Sequence, residues 1–125
     1  MLALSLAKPK RPSAGRMAEV VGWGMYAPSR VVTNDELARQ MDTSDEWIRT
    51  RTGISRRHIA GENETTAQMA AAAARAALQT ADEDPHRIEL IIVATTTPDY
   101  LLASTACQVQ NALGAINAGA YDLNA

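Results

Sequence analysis

Polar and apolar positions change rhythm repeatedly along this chain, with glycine, proline and capping pairs marking each change. The run AEVVGWGMY, residues 18–26, reads as a buried strand interrupted by Gly22 and Gly24, which permit a bend or a close backbone approach. Pro28 ends it. Thr33 with Glu36 has the form of a capping box, so NDELARQM predicts a short helix with Leu37 and Met41 turned inward. Thr43 with Glu46 repeats the device and opens a second helix, ended by Gly53, with Trp47 and Arg51 four residues apart on one face. ISRRHIA then alternates as an extended segment. After a polar turn, Thr65 with Gln68 caps an alanine-rich helix reaching about Thr80, whose small side chains suit close packing.

The second half of the chain is more regular. A turn over 82–87 contains Pro85, and IELIIVATT, residues 88–96, is continuously apolar through its middle, as in a strand covered on both faces of a parallel sheet. Thr97-Pro98-Asp99 begins a loop, and Ser104 or Thr105 caps a helix to about Leu113 that Gly114 ends. Residues 118–124 read as a final strand. The alternation of strands and helices predicts an α/β fold.

Composition narrows the class. The 125 residues are 46% apolar and only 4% aromatic, with no Phe, so the core is built from Ala, Val, Ile, Leu and Met. The formal charge is -2. Lys8, Lys10, Arg11 and Arg16 fall in the first sixteen residues, so the rest is more acidic than this total and offers no basic face for nucleic acid. Residues 1–16 read as a disordered extension or a start-site error, with the domain beginning near Met17; the apolar stretch precedes the basic residues, the reverse of a secretory signal. No run approaches the roughly 20 apolar residues that span a bilayer. One cysteine excludes an internal disulfide and fits a reducing cytoplasm.

Candidate chemistry is sparse. Cys107 reads as a small buried residue inside an amphipathic helix, without the helix N-terminus or neighbouring base that activates a thiol. His58 stands beside Arg56 and Arg57, and His86 lies in a turn; neither has companions at metal-ligand spacing, so no metal is expected. The acidic residues Asp45, Glu46, Asp82, Glu83 and Asp84 read as helix N-terminal charges and a solvated turn. Arg49, Arg51, Arg56 and Arg57 form a local basic cluster suited to an anion. An indole and a guanidinium on one helical face suit an adenine ring and a phosphate; a core tryptophan covered by a surface arginine is the alternative.

DTSDEWIRTRTGI, followed by RRHIA, the NET turn, IIVATTTPD and STACQVQNALG, resembles the N-terminal part of β-ketoacyl-acyl-carrier-protein synthase III from about Val20 onward. The resemblance implies a thiolase-like α/β fold: two related halves, each with a mixed, largely parallel sheet packed by helices, usually assembled as a homodimer. This chain matches an incomplete N-terminal half. It implies that Trp47 and Arg51, with Thr43 and Thr52 as neighbours, contact the nucleotide of coenzyme A. Leu102 falls in the loop that reaches a partner's acyl pocket. The implied reaction condenses acyl-CoA, a substrate rather than a permanently bound cofactor, with malonyl-acyl-carrier protein to initiate fatty acid synthesis. The family's nucleophilic cysteine follows a D-x-x-A-A pattern begun at Asp122, and its His and Asn also lie downstream. No catalytic residue is therefore assigned, and the chain alone is expected to be inactive. Alternatives are a relative serving polyketide or related biosynthesis, and a non-catalytic coenzyme A-binding or interaction module.

Overall fold

A computed structural model describes residues 18–124; the expected extension over 1–16 and the start near Met17 lie outside them. The elements run β1 (Arg30–Thr33), α1 (Asn34–Ala38), α2 (Asp45–Thr52), β2 (Arg56–Ile59), α3 (Thr66–Ala81), a 3-10 turn (Pro85–Arg87), β3 (Leu90–Ala94), α4 (Thr105–Leu113) and β4 (Gly119–Leu123). Among the described residues the strands form two pairs. β1 and β2 run antiparallel, Arg30 opposite Ile59; β3 and β4 run parallel, Leu90 opposite Gly119.

Parallel neighbours require a crossover, and α4 supplies it. Its N-cap is Ser104, one of the two residues the sequence offers, and its C-cap Gly114, at φ 71°, stands where the sequence places it. Thr65 caps α3 with the expected reciprocal bonds to Gln68. These two helices pack on each other and on the strands around Ala67, Ala71 and Val109, with Ala70, Ile91, Val93 and Leu113 completing the cluster. Alanine is what permits this close approach.

The same small residues receive segment 18–26. A Cβ on Gly24 would stand 2.3 Å from Ala73 O and 2.4 Å from Ala77 N, and one on Gly22 would stand 2.6 Å from Ala77 O. Both glycines are thus demanded by contact with the α3 backbone. The segment was expected to be a buried strand. Instead it has no ladder partner among the described residues, and Trp23 is 70% exposed.

Other departures have local causes. β1 lies in four residues between Pro28 and the α1 cap, too few to show a period, and was not foreseen. α1 ends at Ala38, so Met41 falls beyond it and is exposed rather than inward; Leu37 is half-buried. β3 was expected to be covered on both faces. Ile91 and Val93 meet the helices, whereas Leu90 and Ile92 lie on an open face.

Candidate functional site

The site centres on α2. Its N-cap is Ser44, whose hydroxyl accepts from the Trp47 N–H at 3.1 Å, one residue later than the expected Thr43. Asp45 and Glu46 in the first turn oppose the positive end of the helix dipole, and Gly53 closes the last turn at φ 73°. One residue, Ile48, is buried from this helix. Trp47, next to it, faces outward and is 53% exposed. Arg51, one turn on, places its guanidinium carbon 4.7 Å from the centroid of the Trp47 ring. The structure therefore brings the two expected residues together as an exposed cation–π pair. A core tryptophan is excluded.

The two threonines differ. Thr43 is half-buried, and its hydroxyl oxygen is covered and without a partner among the described residues. The Thr52 hydroxyl donates to Ile48 O at 2.7 Å and accepts from the Ile54 N–H, so it is committed to closing the helix. Leu102 lies fully exposed, remote in sequence, in the loop before α4.

The basic cluster does not converge on one anion. Arg49 bonds Asp45, four residues earlier, at 3.4 Å. Arg57 turns toward Asn34, donating to its Oδ1 at 2.8 Å. Asn34 is 1% exposed and donates through Nδ2 to Asp45 Oδ1 and to Ile54 O, both at 2.8 Å. This hub is not legible in the sequence, because a lone asparagine after a capping threonine reads as an ordinary helix start.

Cys107 corrects an expectation. It is exposed and is the third residue of α4, because the inward face is set by Ala106, Val109 and Leu113. His58 bonds through Nδ1 to Pro28 O, and His86 to Asp84. Among the described residues neither histidine is hydrogen-bonded to Trp47 or Arg51. Surface depressions of about 540 Å³ beside Asp82 to Pro85 and about 470 Å³ along Asp45, Arg49 and Gly53 have other linings than the exposed pair Trp47 and Arg51.

Two aspartates matter more than the sequence indicates. Asp99 accepts from the N–H groups of Thr66 and Ala67, both at 2.8 Å, at the start of α3. Asp122 does the same at the start of α4, taking the Thr105 and Ala106 N–H groups at 2.7 Å and the Ser104 hydroxyl at 3.0 Å. Burial works to raise each carboxyl, but these donors outweigh it and hold both below the ordinary carboxylate range.

No protein-family model matches the chain. A β-ketoacyl-acyl-carrier-protein synthase III of Xylella fastidiosa (strain 9a5c) is 55% identical over 108 residues, 86% of this chain and 33% of that protein. The crystal structure of 3-oxoacyl-acyl-carrier-protein synthase III from Aquifex aeolicus VF5 is 50% identical with TM-score 0.79, over 84% of this chain and 34% of that one. The priming β-ketosynthase of the R1128 polyketide pathway is 41% identical with TM-score 0.83, over 94% and 35%. The fold is accordingly thiolase-like α/β. Within that class the chain belongs to the β-ketoacyl-acyl-carrier-protein synthase III family, as an N-terminal portion. It spans about a third of the length of the curated relatives it matches.

Proposed function

We propose that this chain supplies the coenzyme A nucleotide surface of an acyltransferase that condenses acyl-CoA with malonyl-acyl-carrier protein, the opening step of fatty acid synthesis. The observation that carries the reading is the exposed Arg51–Trp47 pair on α2. An indole left in solvent on a short helix contributes little to the core, yet it offers an adenine a stacking face. Arg51 adds a permanent charge and a fork of donors for phosphate. Thr43 and Thr52 flank this surface, and Leu102 belongs to the acyl-pocket loop contributed across a homodimer in the cytoplasm. Neither Cys107 nor His58 matches the family's nucleophilic cysteine or catalytic histidine, so this portion holds coenzyme A and does not itself accept the acyl group. Curated relatives at 46–55% identity are β-ketoacyl-acyl-carrier-protein synthases III, which favours fatty acid synthesis; identity to solved structures does not separate the two pathways, since synthases III at 36–50% bracket the polyketide priming enzyme at 41%.

Calorimetric titration of the 125-residue polypeptide with coenzyme A tests the proposal. Base stacking on an aromatic ring is worth about 1–3 kcal/mol, so Trp47→Ala should weaken binding by about fivefold to a hundredfold. Arg51→Ala should weaken it and flatten its dependence on salt. Unchanged affinity in both variants removes the pair from the site.

A further inference from the structure

We infer that Asn34 is a positioning residue for the nucleotide surface: its buried amide ties both ends of α2 to the β1–β2 unit and thereby fixes where Trp47 and Arg51 point. This inference rests on the reading of α2 as the coenzyme A surface.

α2 has eight residues, too few to hold a helix in water unaided. Ile48 is its one buried residue, so apolar packing gives it a single anchor. A single anchor leaves rotation about the contact poorly opposed. A polar constraint comes from Asn34, at the start of α1. One Nδ2 hydrogen goes to Asp45, the first residue of α2, and the other to the carbonyl of Ile54, the residue after the Gly53 cap. The two bonds therefore straddle the helix. On its other side Asn34 Oδ1 accepts from Arg57 of β2, whose register with β1 is fixed by the ladder pairing Val32 with Arg57.

The amide orientation is set by its partners. Exchanging its oxygen and nitrogen would face two acceptors with an acceptor and a guanidinium with a donor, losing all three bonds at once. The position thus needs a group that donates twice on one side and accepts on the other. Aspartate has the same shape and still accepts from Arg57, but it presents oxygen to the Asp45 carboxylate and the Ile54 carbonyl. Asn34→Asp therefore abolishes the two bonds to α2, leaving acceptor facing acceptor at each, while retaining the one to β2.

The test uses the 125-residue polypeptide carrying Trp23→Phe, so that Trp47 is its one indole. Asn34→Asp should weaken coenzyme A binding by about tenfold and diminish the near-ultraviolet circular dichroism of Trp47. Asp45→Ala, at a more exposed position that does not threaten folding, should act in the same direction by about threefold. Ala71→Gly in the α3 core serves as the comparison: it should lower the melting temperature while leaving affinity and the Trp47 signal in place. Parent-like affinity in both Asn34→Asp and Asp45→Ala, or an equal loss in Ala71→Gly, overturns the inference. If Asn34→Asp does not fold, Asp45→Ala decides. Should Trp47→Ala leave coenzyme A binding intact, the nucleotide reading fails by itself. The Trp47 signal and hydrogen exchange of the α2 amides then judge the tether, and their insensitivity to Asn34→Asp would reject it.

Discussion

Trp47 and Arg51 could be paired from their spacing alone, because residues four apart on a helix are neighbours whatever surrounds them. Exposure was a different matter: an amphipathic reading leaves a tryptophan equally suited to core or surface, and the burial of Ile48 beside it decides the question. Asn34, Asp99 and Asp122 were illegible as a group for a related reason. Their partners lie 11 to 33 residues away, and local sequence encodes no such pairing. The two aspartates make an acid-sensitive prediction. Because their folded-state carboxyls are depressed, the stability they contribute is complete above the unfolded value of about 3.9 and is lost as pH falls through the folded value. Asp99→Asn should melt several degrees lower than the parent at pH 7, taking roughly 4–8 °C for each kcal/mol in a domain of this size. It should then lose less than the parent between pH 5 and about 2. Parallel melting-temperature profiles for the two proteins across that range would refute the assignment.

At the scale of elements, caps were the most legible signals. Thr33, Thr65, Ser104, Gly53 and Gly114 all terminate helices where the chain marks them, since each satisfies backbone groups within its own turn. The start of α2 shifted by one residue because Thr43 and Ser44 are both competent caps and neither sequence position excludes the other. Segment 18–26 shows the opposite limit. Its glycines were correctly read as permitting close backbone approach, but its apolar run could not announce that the contact would be a helix rather than a strand ladder. Gly24→Ala should cost about 1–3 kcal/mol, since the new methyl meets backbone atoms of α3 that cannot yield. Denaturant unfolding measures this. Gly61→Ala, whose Cβ would approach only the flexible Glu64 carboxylate at 3.3 Å, should cost distinctly less.

For the molecule as a whole, the parallel β3–β4 pair presents two unlike faces. Ile91 and Val93 meet the helices, while Leu90, Ile92, Tyr121 and Leu123 are each about half exposed on the other side. Such a patch promotes association. Ile92→Lys should reduce self-association of the polypeptide in sedimentation velocity while changing stability by no more than about 0.5 kcal/mol. Val93→Lys, on the covered face, should unfold it. Equal sedimentation of Ile92→Lys and the parent would remove this face as the cause of association.

Family, helix ends and the Trp47–Arg51 spacing followed from the sequence by itself, because each is carried by residues close together along the chain. Tertiary structure alone decided which face of β3 is covered, that Cys107 is exposed, and that Asn34 straddles α2. Those outcomes depend on which distant segments meet, and a one-dimensional pattern of apolar and polar residues states that a face is to be buried without stating against what.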